Sequence, residues 1–201
     1  MEGRKSEKMS SREEILGRLR KNTHTTFDKP QLDFQGIQYN DPVAQFIHIA
    51  TTAGGAKLME IKPGDDINAK ILEAYPDAKV ISSNIPGVRT DRNPDEVAEA
   101  QDLDGTDVGV IQGEIGVAEN ACIWIPQTMK EKAICFISEN LVILLSRRDI
   151  VNNMHEAYKR IRFNDYGFGT FISGPSKTAD IEQSLVYGAQ AARGVTIFLT
   201  E

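Results

Sequence analysis

The sequence is poor in the residues that self-contained redox and metal proteins use. Only two cysteines, Cys122 and Cys135, occur in 201 residues. They do not form a C-x-x-C pair, which excludes a disulfide framework and any iron–sulfur or zinc site built from this chain alone. Both lie beside apolar residues and read as buried free thiols. His24, His48 and His155 stand far apart with no H-x-x-x-H spacing, so the histidines give no support for a metal site. A G-x-G-x-x-G turn is also missing, and with it the usual dinucleotide fingerprint. No apolar run approaches the ~20 residues that span a bilayer. The charged start Met1-Glu2-Gly3-Arg4-Lys5 lacks the apolar core of a signal peptide, and the expectation is a cytoplasmic protein. Positive charge is in deficit, with 23 Lys and Arg against 29 Asp and Glu and a net charge of −6. The cations are scattered along the chain and leave no basic footprint for nucleic acid.

What is present suits one domain: 40% of residues are hydrophobic, enough for a full core at this length. Residues 1–10 are polar with nothing to bury and read as a flexible arm, followed by a single domain over 11–201. Ser11-Arg12-Glu13-Glu14 has the form of a capping box before Ile15, Leu16 and Leu19, predicting an amphipathic helix up to about Lys21 that packs on the main body or a partner. Asn22 to Asn40 has weak periodicity and reads as loop. Asp41-Pro42 opens a second helix, with Val43, Phe46, Ile47 and Ala50 inward and Gly54-Gly55 as its stop.

Short apolar runs then alternate with helical patterns. Strands are expected at 56–59, 79–82, 107–111, 122–126, 141–145 and 195–199, and helices around Ile67–Leu72, Ala133–Ile137 and from Asp149 through Ile161. This alternation argues for an α/β fold with a mostly parallel sheet flanked by helices. The runs near 107, 141, 170 and 195 are expected to share one sheet. The 84–104 loop carries one predicted helical turn from Pro94 to Ala100, and Arg89 and Arg92 in it are either anion contacts or solvated cations. The 113–126 stretch reads as a hairpin at the sheet edge.

The most structured junction is Thr170-Phe171-Ile172-Ser173-Gly174-Pro175-Ser176-Lys177-Thr178-Ala179-Asp180-Ile181-Glu182. Phe171 and Ile172 continue a strand and Gly174-Pro175 breaks it. Ser176 and Thr178 offer caps for a helix carrying Ile181, Leu185 and Val186. A strand entering a helix through such a turn puts free N–H groups at the carboxyl edge of a sheet, a common ligand position. The alternative is a well-capped helix with no ligand.

These residues carry a family resemblance. The order Asp107-Val108-Gly109-Val110, then Gly116-Val117-Ala118-Glu119-Asn120, then the G-P-S-x-T-A-D-I-E string from Gly174 and a closing apolar strand resembles the LUD domain, the family of lactate utilization protein C. The resemblance covers residues 11–201. It implies a fold similar to the sugar-phosphate isomerase and CoA-transferase group. It further implies an accessory, non-redox role beside iron–sulfur subunits that oxidise L-lactate to pyruvate, with the clusters in those partner subunits and no cofactor in this chain. It also implies one crevice lined by Gly116, Glu119 and Asn120 and by Ser173, Gly174, Ser176, Lys177, Thr178 and Asp180, taking a small anionic metabolite.

Two departures accompany the match. The family pattern A-E-T-G-T becomes Ala118-Glu119-Asn120-Ala121-Cys122, and G-x-H-G-P becomes Gly188-Ala189-Gln190-Ala191-Ala192-Arg193. Two further readings stay open. Glu119 could act as the nucleophile of an acyl or CoA transferase-like enzyme, or cap backbone N–H groups in a structural subunit with a vestigial pocket.

Overall fold

The computed structural model describes residues 10–25, 27–28, 30, 35–163, 166–179 and 185–201. The expected arm falls almost wholly outside the described residues. Residues 1–35 and 36–201 form separate compact units.

In the first unit, helix α1 (Ser11–Asn22) starts one residue earlier than the expected box. Ser10 is the cap, its hydroxyl accepting from the Glu13 N–H while the Glu13 carboxylate accepts from the Ser10 N–H at 2.8 Å. The run Ser10-Ser11-Arg12-Glu13-Glu14 offers two frames for the same box, and the extended backbone of Ser10 selects the first. No residue of α1 is buried, and Ile15 is 60% exposed.

The second unit is built on a five-stranded sheet in the order β1 (Lys57–Glu60), β11 (Gly194–Thr200), β6 (Asn140–Ser146), β3 (Val108–Gln112) and β2 (Ile81–Ser82), with every pairing parallel. Burial on both sides explains the continuous apolar runs. Along β6, Leu141, Ile143 and Leu145 enter one core while Val142 and Leu144 enter another. On β11, Val195, Ile197 and Leu199 share the first core and Phe198 the second. Helix α3 (Ile67–Ala74), capped by Asp66, covers the second core through Ile71. Helix α2 (Pro42–Ile49) covers the first core through Phe46, and α4 (Ile134–Ile137) does so through Ile134. As expected, Asp41 caps α2 with Pro42 in its first turn. The helix then widens into a π-type turn over Ala50–Gly54 and ends at Gly55 in the left-handed region.

A second sheet, β7 (Ile150–Val151), β4 (Ile115–Val117), β5 (Ile123–Pro126) and β8 (Gly169–Ile172), packs on the first core by one face. Ile123 and Ile125 supply that face. Trp124 points the other way, into a third core with Val117, Val151 and Ala157. Helix α5 (Met154–Arg160) closes that core. The fold is thus mixed α/β, with a parallel central sheet flanked by helices.

Several expectations fail where tertiary partners override the local signal. The run near 170 leaves the central sheet and pairs antiparallel with β5, Ile123 opposite Ile172 and Trp124 opposite Phe171. Its alternation fits two different faces, Ile172 on the first core and Phe171 against Trp124. The helix expected from Asp149 begins only at Met154, because Ile150 and Val151 are used as a buried strand and Asn153 is the cap, accepting from the Glu156 N–H at 3.1 Å. On α5, Tyr158 is 63% exposed. The helical turn at Pro94–Ala100 is replaced by a turn held by Asn93 and a separate 3-10 turn at Ala100–Leu103.

Where a helix is expected after Ser176, the described residues form β9 (Lys177–Ala179) paired antiparallel with β10 (Leu185–Tyr187) as a hairpin, and Ile181 lies outside the described residues. Ser176 donates its amide to the Ala192 carbonyl and accepts from the Gly188 amide, and these tertiary bonds override the local capping signal.

Truncation of Ile143, fully buried in β6, should cost about 2–5 kcal/mol as Ile143→Ala. Ile15→Ala on the exposed face of α1 should cost about 0.5 kcal/mol or less. Urea denaturation of both variants checks the contrast.

Candidate functional site

A groove of about 380 Å³ runs beside β8 and is floored by Leu141 and Val195. Those residues open β6 and β11, so the groove lies at the amino edge of the central sheet and not at the carboxyl edge where open α/β folds usually bind ligands. Ser173, Gly174, Ser176 and Lys177 line it together with Gln190 and Phe136.

The turn entering this groove is fixed by close backbone contact. Gly174 has φ +70°, and a Cβ there would collide with the Gly54 carbonyl oxygen, so only glycine fits. Lys177 completes the junction by donating its Nζ to the Ala53 and Gly54 carbonyls at 2.7 and 2.6 Å. The ammonium therefore satisfies the open carbonyls at the end of α2, as cations do at helix C-termini. It does not sit at a helix N-terminus, because Lys177 itself opens strand β9.

The other predicted residues separate. Ser173 Oγ donates to the Asn120 carbonyl at 2.8 Å, joining the two sequence motifs at one point. The Asn120 side chain accepts from the Cys122 N–H at 3.1 Å, and Ala121 stands at φ +55°, so this motif is a tight turn between β4 and β5. Gly116 is glycine for packing: a Cβ would come within 2.8 Å of the Leu145 side chain. Glu119 is exposed, and its Oε2 accepts from the Met154 N–H at 3.0 Å at the start of α5. Neither Gly116 nor Glu119 is among the described groove-lining residues. Thr178 sits in β9 beyond the groove, and Asp180 lies outside the described residues.

Phe136, 39% exposed in the groove, was not anticipated. Its sequence signal is an aromatic residue at the end of a four-residue helix too short to bury it. Gln190, Ala191 and Ala192, the positions that depart from the family pattern, do line the groove. Arg89 and Arg92 serve their own loop. Arg89 pairs with Asp91 at 3.3 Å, while Arg92 donates to the carbonyls of Asp102 and Asp104. Among the described residues no cluster of three His, Cys, Asp or Glu side chains could hold a metal ion.

Both cysteines are free. Burial raises the Cys122 thiol pKa, and it pushes Cys135 up to about 12. A thiol whose pKa is higher in the folded state stabilises that state below its unfolded pKa, and the contribution fades as pH rises from there toward the folded value. Stability should therefore decline above about pH 8.5, the ordinary thiol range, and Cys135→Ser should flatten that part of the melting curve against pH. Denatured protein should titrate two thiols, and a count of none would reveal a disulfide.

At the junction, Lys177→Met should cost about 1 kcal/mol in urea denaturation. At the β4–β5 turn, Glu119→Gln keeps an acceptor for Met154 and should stay within about 0.5 kcal/mol of wild type, against about 1 kcal/mol for Glu119→Ala.

Comparison with known proteins sets this geometry in a family. The chain is 24% identical over 217 aligned residues to the uncharacterized protein NMB1437 of Neisseria meningitidis serogroup B, covering 94% of this chain and 93% of that protein. Its fold is similar to the crystal structure of a DUF162 family protein from Deinococcus radiodurans, with a TM-score of 0.62, 12% identity, and coverage of 83% of this chain and all of that one. A sequence profile described as the LUD domain matches residues 95–200, from the loop before β3 through the last strand. The chain belongs to the LUD domain family, whose family-level role is in lactate utilization.

Proposed function

We propose that this protein is a cytoplasmic, non-redox accessory subunit of a system that oxidises L-lactate to pyruvate. It works beside iron–sulfur partner subunits, and the groove along β8 takes a small anionic metabolite. The observation that carries the reading is the LUD domain match over residues 95–200. The sequence adds support, because two isolated cysteines cannot ligate an iron–sulfur cluster and the electron carriers must reside elsewhere. Ser176 and Gln190 supply hydrogen-bond donors to the groove. Lys177 lends positive charge at its rim while holding the end of α2.

Catalysis through Glu119 has less support, because that carboxylate already accepts a helix N–H and stands apart from the groove. A transferase-like role would instead be favoured by acyl exchange in the purified protein. No helix among the described residues is long and apolar enough to cross a membrane.

Deletion of the gene should abolish growth on L-lactate and leave growth on pyruvate unchanged. Gln190→Ala and Ser176→Ala should each complement the deletion poorly at unchanged melting temperature, whereas Glu119→Gln should complement fully. A deletion strain that grows normally on L-lactate would overturn the assignment.

A further inference from the structure

The second sheet ends in an open edge. β8 pairs only with β5, and among the described residues no strand lies on its other side. The register, together with the Gln127 N–H donating to the Phe168 carbonyl, turns the backbone groups of Gly169 and Phe171 outward, away from β5. Exposed edges are normally blunted by lysine, proline or a bulge. The segment Gly169-Thr170-Phe171-Ile172 contains no charge and no proline.

Both faces beside this edge are built to receive side chains. On one, Phe171 lies 4.9 Å from Trp124 and 5.7 Å from Tyr158, and Phe163 stands 5.8 Å from Trp124, measured between ring centroids. Tyr158 and Phe163 are 63% and 59% exposed, a surface of rings larger than the third core needs. On the other face lies the groove with Phe136. A strand added at β8 would send alternate side chains to the rings and into the groove, because side chains alternate along a strand.

The surrounding charge selects the partner. Lys159 and Arg160 are exposed and follow Tyr158 directly, and exposed Arg162, two residues on, donates to the Lys159 and Ile161 carbonyls. Lys132 lies 4.8 Å from the centre of the Phe168 ring, just before β8. In a chain of net charge −6 these cations, one on a ring and three next to Tyr158 in sequence, form a local positive cluster complementary to carboxylates.

We propose that the β8 edge is a docking site for an extended acidic segment of a partner protein, one that alternates carboxylate and apolar residues and adds to the sheet as a fifth strand. The inference does not rest on the lactate role, although the added strand would share the groove given there to the metabolite.

The test uses the full chain and a fluorescent synthetic peptide alternating glutamate with valine and phenylalanine. It should bind, and a lysine-for-glutamate version should bind at least about tenfold more weakly, because like charges then face Lys159 and Arg160. The glutamate peptide N-methylated along one backbone edge keeps every side chain but cannot pair, and it should lose binding. The doubly substituted Lys159→Glu, Arg160→Glu protein, changed only at exposed positions, should weaken the glutamate peptide by about tenfold or more at unchanged melting temperature. Equal binding by the N-methylated peptide, equal binding by the doubly substituted protein, or absence of glutamate-peptide binding would each overturn the proposal. So would preference for a single-stranded oligonucleotide over the peptide. Growth on L-lactate reports separately on the lactate role.

Discussion

Two-sided burial of β6 is the constraint on which the rest of the fold depends. A strand covered on both faces has to be apolar at successive positions, and Leu141 to Leu145 meet that demand without interruption. One side then requires α3, and the other requires α2, α4 and the Ile123–Ile125 face of the second sheet. β3 and β11 pair with it on either side in parallel register. The second sheet is therefore a lid on the first core, and its outer face becomes available for aromatic packing around Trp124.

Sequence reasoning succeeded where burial alone decides structure. The β3, β6 and β11 runs are mostly apolar, the Asp41-Pro42 start of α2 carries its own cap, and Gly54-Gly55 ends its continuation. It failed where a residue's role is set by a distant partner. Nothing local tells that Ser176 exchanges backbone bonds with Ala192 and Gly188, which turns a plausible helix start into a hairpin. Nothing local sends Ile172 to one core and Phe171 to another. Asn153 outcompeted Asp149 as a cap because Ile150 and Val151 were needed as a strand beside β4.

The site was legible in part. The Ser173 to Lys177 turn does border a groove, and the altered Gln190 to Ala192 positions share it. The Gly116 to Asn120 motif reaches that turn through the Ser173 to Asn120 bond, with its glycine and carboxylate engaged in packing and capping. The pairing of the two motifs reflects one contact point, and the groove belongs to β8, the turn after it and the loop before β11. Its position at the amino edge follows from β8 joining the second sheet, which carries the Gly174 turn over the starts of β6 and β11.

The Lys177 ammonium at the end of α2 behaves as a tethered counter-ion. A free cation captured by two carbonyls would depart whenever its concentration fell, and its occupancy would track the ionic strength of the solution. A cation tethered to the backbone through its own side chain has an effective concentration set by the chain, so its hold on the widened turn at Ala50–Gly54 does not depend on the supply of free cations. The same tether means that whatever displaces the hairpin also strips the helix end of its charge partner, so hairpin and helix end open together.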